Sequence, residues 1–204
     1  MIAIIDYGVG NLYSLSRSLE ALGLASGVTR EEAVLREAEK IILPGVGAFG
    51  DAMEKLAATG LIPALRARAA AGVPLLGICL GMQLLFEKSD EYGEHEGLGL
   101  LPGQVKAMAD DLPQGLKVPH IGWNALNIQR QCPLLKYVRE DDCVYYVHSY
   151  YAVGCQAETC AASAYGIQVP GVVQKGNVFG TQFHPEKSGP VGLNILRAFG
   201  EVRS

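Results

Sequence analysis

Cys79 sits at the centre of Gly77-Ile78-Cys79-Leu80-Gly81, where one apolar run, Val73 to Ile78, meets a second, Leu80 to Phe86. A thiolate is a strong nucleophile. Small residues on either side permit a sharp strand-to-helix turn, and N–H groups at a helix start favour the anionic sulfur. The same five letters also describe a buried cysteine whose glycines serve close packing, so a base must decide between the readings. Of four histidines, His184 follows the strand-like run VFGTQF and precedes Pro185. A residue before proline favours extended backbone, which puts Glu186, two places on, on the same side as the imidazole. Nucleophile, base and orienting carboxylate then form a Cys79-His184-Glu186 triad. His95, among charges in EYGEHEG, reads as a solvated loop residue. His120 and His148, beside apolar and aromatic residues, read as structural.

The elements that must position this triad alternate through the first half of the chain. MIAIID is a strand ending at an acidic residue and a glycine turn, and Leu12, Leu15, Leu19 and Leu22 recur at helical spacing. REEAVLREAEK reads as a charged helix and IILPGVGAFG as a strand running into a glycine-rich loop. DAMEKLAATGLIPALRARAAAG is helical with a break near Gly60 and Pro63, and VPLLGI then LGMQLLF is a buried strand feeding a helix whose turn carries Cys79. Such repetition predicts a mostly parallel central sheet flanked by helices, an α/β fold. Beyond Ser89 the texture changes. DDCVYYVHSYYAV, ETCAASAY and IQVPGVVQKGNVFGTQFH predict added antiparallel strands, with a tight hairpin at Lys175-Gly176-Asn177. A last helix in SGPVGLNILRAFGEV presents Leu193, Leu196 and Phe199 on one face.

Neither linker, repeat nor low-complexity segment divides the chain, so residues 1–204 are expected to form one unit. A formal charge of −4 without a basic cluster argues against nucleic acid and anionic membranes as partners. The uncharged stretch Ala69 to Phe86 approaches the length of a membrane span, but Pro74 and three glycines interrupt it. With a short N-terminal apolar run and no basic leader, the expected location is the cytosol. Five cysteines lack CxxC or Cys/His zinc spacing, so neither a metal nor another cofactor is expected. Cys132, Cys143, Cys155 and Cys160 read as small, mostly buried hydrophobes.

Seven segments carry a resemblance: IIDYGVGNL (4–12), LPGVGAFGDAM (43–53), LLGICLGMQLLFE (75–87), GLGLLPG (97–103), KVPHIGWN (117–124), VHSYY (147–151) and GTQFHPEKSG (180–189). In order and spacing they resemble the class I glutamine amidotransferases, and within them the glutaminase subunits of imidazole glycerol phosphate synthase. The resemblance implies that Cys79 attacks the side-chain amide of L-glutamine, giving a γ-glutamyl thioester and ammonia. His184 then activates water, while Glu186 holds its tautomer. It implies a heterodimer with a (β/α)8-barrel cyclase, which uses the ammonia to make imidazole glycerol phosphate and an aminoimidazole carboxamide ribonucleotide in histidine biosynthesis.

An oxyanion needs donors. The first is the N–H of Leu80, next to the nucleophile, and the second is expected from Val46 or Gly47 in Pro44-Gly45-Val46-Gly47, which also reads as an ordinary tight turn. Gln83, one helical turn beyond Cys79, faces as the thiol does. The resemblance gives it a contact to glutamine, and its place in an apolar helix equally suits an internal hydrogen bond. Ser149 and Tyr150 match the segment whose backbone holds the substrate's amino-acid end. Asn11, Trp123 and Lys187 are candidates for the partner face, although a sole Trp also suits a core and Lys187 a plain surface charge. Two alternatives stand beside this reading: a glutaminase serving another synthase, such as pyridoxal phosphate synthase, and a silent regulatory module on the same scaffold.

Overall fold

Strands of Ile, Leu and Val alternate with helices through the first half: β1 (Ile2–Ile5), α1 (Leu12–Ala21), β2 (Ser26–Thr29), α2 (Glu32–Glu37), β3 (Lys40–Gly45), α3 (Phe49–Ala58), α4 (Ile62–Ala70), β4 (Leu75–Cys79) and α5 (Leu80–Leu84). Shorter strands then take over, with β5 (Lys88–Ser89), β6 (His95–Glu96), β7 (Gln104–Ala107), β8 (His120–Ala125), β9 (Asn127–Ile128), β10 (Cys143–His148) and β11 (Tyr150–Val153). The chain closes with β12 (Thr159–Ala164), β13 (Gln168–Lys175), β14 (Val178–Thr181) and α6 (Gly189–Glu201). This computed structural model describes residues 1–203; Ser204, the last residue of the expected 1–204 unit, lies outside them.

The main sheet has the order β2-β1-β3-β4-β14-β13-β12-β9. Its first five strands are parallel, and β14 turns the sheet antiparallel through its hairpin with β13. The strand VFGT was expected to be simply antiparallel. It is antiparallel only to β13, because its other edge runs alongside β4 in the same direction. That parallel edge places the residues after β14 next to the end of β4, which is where the chemistry-bearing residues lie. A ribbon of β8 and β10 and a small sheet β11-β7-β5-β6 stand apart from it.

Side chains alternate across the central strands, and each face takes its own cover. Ala3, Ile5, Ile41, Leu43 and Leu75 pack with Phe49, Leu56, Leu61 and Leu65 of the α3–α4 region. Ile2, Ile4, Ile42, Leu76 and Ile78 pack with Leu15 and Leu19 of α1 and Leu196 and Phe199 of α6. On α6 the buried stripe runs through Gly192, Ile195, Leu196 and Phe199, so Ile195 replaces the expected Leu193. Seen by helical spacing the two differ by half a turn, and contact with the sheet selects Ile195. The uncharged stretch 69–86 divides between the end of α4, a turn, β4 and α5, and no helix among the described residues is long and apolar enough to cross a membrane.

Two expectations outside the sheet are also corrected. His95 is a strand residue paired with Ser89, and its ring lies against Gly50, where an added Cβ would meet it at 2.6 Å. Cys143 is exposed at the start of β10, whereas Cys132, Cys155 and Cys160 are buried.

Candidate active site

β4 runs through Cys79 itself, one residue further than expected, and α5 starts at Leu80. The reversal between them falls on the cysteine. Its φ of 53° and ψ of −111° lie where non-glycine residues are strained, and such strain collects at functional turns. The flanking glycines make it possible by close approach. A Cβ on Gly77 would lie 2.6 Å from the Gly81 carbonyl oxygen, and one on Gly81 would run into the Leu43 carbonyl of β3. α5 is therefore laid directly over the strand pair. The N–H of Leu80, in the first helical turn, has no acceptor within the helix.

His184 reaches the same place from the parallel neighbour, three residues beyond β14. Its backbone N–H donates to the Tyr145 carbonyl at 3.1 Å, and its carbonyl accepts from Ser188 Oγ at 2.7 Å. A 3-10 turn over Pro185–Lys187 folds Glu186 back, so that Oε1 meets His184 Nδ1 at 2.9 Å with both side chains 3% exposed. The other ring nitrogen is left for the side of the cleft that His184 shares with the Cys79 thiol. Burial alone would lower the His184 pKa. The neighbouring Cys79 and Glu186 outweigh it and raise the value to about 9. Glu186 Oε2 is buried without a partner, which leaves its charge directed at the imidazole.

The triad opens into a cleft of about 560 Å³ whose wall includes Val46, Gly47, Leu80 and Gln83 on one side and His148, Ser149 and Tyr150 on another. Thus both expected oxyanion segments and all three expected substrate contacts converge with Cys79 and His184. Gly47 has φ of +99° and open space beside it, so backbone conformation rather than crowding calls for glycine there. Gln83 is buried, and its amide already donates to the Tyr150 carbonyl and to Gln182 Oε1, each at 3.0 Å. Since His148 Nδ1 also meets the Tyr150 carbonyl at 2.9 Å, both lone pairs of that oxygen are taken. The carbonyl of Tyr150 is not available to a ligand.

Two further residues escaped the sequence, Glu91 on the cleft wall and Gln182 behind it. Glu91 is buried, takes the N–H of Phe49 on Oε2 at 2.7 Å and faces the cleft, where burial raises its carboxyl pKa against that bond. Gln182 is fully buried and donates to the Cys79 sulfur at 3.8 Å. His148, on the cleft wall, bonds His120 at 3.0 Å, and burial holds both near pKa 4, hence neutral, as their structural reading requires.

The family model described as Glutamine amidotransferase class-I matches residues 3–201. Imidazole glycerol phosphate synthase subunit HisH of Bacillus licheniformis is 54% identical over 202 residues, covering 98% of this chain and 95% of that protein. The chain belongs to the HisH family of class I glutamine amidotransferases. HisH of Listeria monocytogenes is 49% identical, with 99% and 96% covered. The structure of PurLQS from Thermotoga maritima shares the fold, with a TM-score of 0.76 over 97% of this chain and 96% of that one at 20% identity.

In this HisH-family enzyme the three residues singled out for a partner face differ in setting. Trp123 is 58% exposed on the β8–β10 ribbon, next to Ile121 at 58%, so it is not a core residue. Lys187 is exposed on the rim of the cleft. Asn11 is half-buried as the cap of α1, taking the Ser14 N–H at 3.3 Å, and lies near Gly45, His184 and Glu186.

Proposed function

We propose that the chain hydrolyses L-glutamine to L-glutamate and ammonia through a γ-glutamyl thioester on Cys79, and passes the ammonia to a (β/α)8-barrel cyclase subunit in histidine biosynthesis. The observation that carries this reading is the buried Cys79-His184-Glu186 array at the end of two parallel strands, with His184 Nδ1 on the carboxylate and its ring on the cleft wall it shares with the thiol.

The imidazolium favoured by both neighbours pairs with a Cys79 thiolate. The sulfur attacks the amide carbon, an S–C bond forms and the carbonyl π electrons move to oxygen. The N–H of Leu80 and one from Val46 or Gly47 receive that charge. When the adduct collapses, the C–N bond breaks and His184 gives its proton to the departing nitrogen. Neutral His184 next takes a proton from water, hydroxide adds to the thioester, and glutamate leaves with the thiolate restored. Glu91 suits the substrate's α-ammonium, since a buried carboxylate on the cleft wall gains most from a cation. The N–H groups and side chains of Ser149 and Tyr150 border the same end.

Ammonia released into water is protonated and loses its nucleophilicity, so a docked acceptor is favoured. Val46, Tyr92 and Lys187 line the mouth as exposed groups, and the exposed Ile121 and Trp123 lie on β8, where Ile121 pairs with the cleft residue Val147, all of the kind that anchor interfaces. A glutaminase assay with and without liganded cyclase tests the reading. It expects slow hydrolysis alone and a marked rise in the complex; equal rates would contradict the reading that hydrolysis is coupled to the cyclase. Growth of a strain lacking the histidine-pathway subunit on this chain, without rescue of a pyridoxal phosphate synthase defect, assigns the acceptor.

A further inference from the structure

A buried amide side chain beside Cys79, that of Gln182, has no role in the reaction described so far. Gln182 lies two residues before His184, in the bend that follows β14. Its backbone N–H donates to the Gly171 carbonyl at 2.9 Å, which fixes it beyond the end of β14. Its side chain is enclosed between two partners, Gln83 and Cys79. Gln83 Nε2 can only donate, so the side of the Gln182 amide that meets it, at 3.0 Å, must be the oxygen. That leaves the Gln182 Nε2 for the sulfur, at 3.8 Å.

The remainder of the chain pins this orientation. Gln83 also donates to the Tyr150 carbonyl, which His148 holds from the other side. His148 Nδ1 must be the donor there, so its Nε2 accepts from His120 Nδ1 at 3.0 Å. His120 Nε2 in turn accepts from the Asn124 amide at 3.3 Å. Every tautomer and amide in the run is settled by its neighbours. A donor held beside the sulfur before substrate arrives favours a developing negative charge and requires no reorganisation during attack.

We propose that Gln182 is a positioning residue that holds the Cys79 sulfur in line and favours its anionic form, tying it through Gln83 to the Tyr150 segment of the substrate cleft. This inference rests on Cys79 being the nucleophile. The test measures steady-state glutaminase kinetics of the cyclase complex together with the pH profile of Cys79 alkylation by iodoacetamide. Gln182→Met keeps length and loses the donor; Gln182→Glu keeps the acceptor for Gln83 and sets a carboxylate beside the sulfur. Expected for Gln182→Met is a roughly tenfold to hundredfold loss in kcat with KM within about threefold, and an alkylation profile moved to higher pH. Gln182→Glu moves it further in the same direction. An unchanged kcat, an unchanged alkylation profile, or a loss confined to KM would overturn the proposal while Cys79→Ala remains inactive. Full activity in Cys79→Ala would instead remove the nucleophile reading beneath it. Should both Gln182 variants fail to fold, the wild-type side-chain amide resonance of Gln182 decides: it is expected to titrate together with Cys79 alkylation and stay flat in Cys79→Ala. A resonance that stays flat in the wild type would overturn the proposal.

Discussion

Glu186→Gln separates the charge of the orienting group from its shape. His184 is held near pKa 9 against an ordinary 6.5, with burial pulling down and Cys79 and Glu186 pulling up. At ~1.4 kcal/mol for each tenfold change, the net rise corresponds to about 3 kcal/mol in favour of the imidazolium. Loss of the Glu186 charge leaves the burial penalty intact and removes one of two opposing partners, which lowers the His184 pKa by about one or more. The sign follows from the role of the group. The protonated imidazole delivers the proton to departing ammonia, so kcat/KM falls as pH rises through the His184 value. Wild-type complex should lose activity with a midpoint near 9, and Glu186→Gln should lose it about one pH unit or more lower. Glutamate production followed across pH, with cyclase saturating, reads both limbs. An upper limb unmoved in Glu186→Gln, or moved to higher pH, would refute the claim that this carboxylate sustains the imidazolium.

Cys79→Ala should abolish glutamine hydrolysis while the cyclase complex still turns over supplied ammonia, measured as product formation from each nitrogen source. Gly81→Ala forces a Cβ into the Leu43 carbonyl, a backbone atom that cannot move aside; urea denaturation should find a loss of more than about 3 kcal/mol or no folded protein. Glu91→Gln should raise KM for glutamine about tenfold or more with kcat little changed, since the lost charge pair forms before the chemical step. Trp123→Ala should weaken cyclase binding by about 2 kcal/mol in calorimetry, yet shift the free chain's unfolding by less than about 0.5 kcal/mol, because most of the indole is already in water.

The groups of the proposed triad were legible as candidates in the sequence because each announces itself locally. Glycines around Cys79 mark a turn that little else permits, and His184-Pro185-Glu186 brings base and carboxylate together within three residues. The apolar runs of β1, β3 and β4 likewise declare buried parallel strands. Residues that act across the fold carry no such mark. Glu91 lies in SDEYGEHEG, where one more acid reads as solvated, and only the packing of that loop against Phe49 buries it. Gln182 looks like a strand residue until β14 pairs with β4 and brings it to the sulfur. His120 and His148 are 28 residues apart and meet through the register of β8 and β10. Strands as short as β5 and β6, two residues each, offer no period to read, which is why His95 was expected in solvent.

The central claim is covalent chemistry at Cys79. Rapid acid quench of the cyclase complex during glutamine turnover, followed by peptide mass spectrometry, should find a glutamyl group on the peptide carrying Cys79, absent without glutamine. Turnover with that peptide unmodified at every quench time, together with retained hydrolysis in Cys79→Ala, would contradict it.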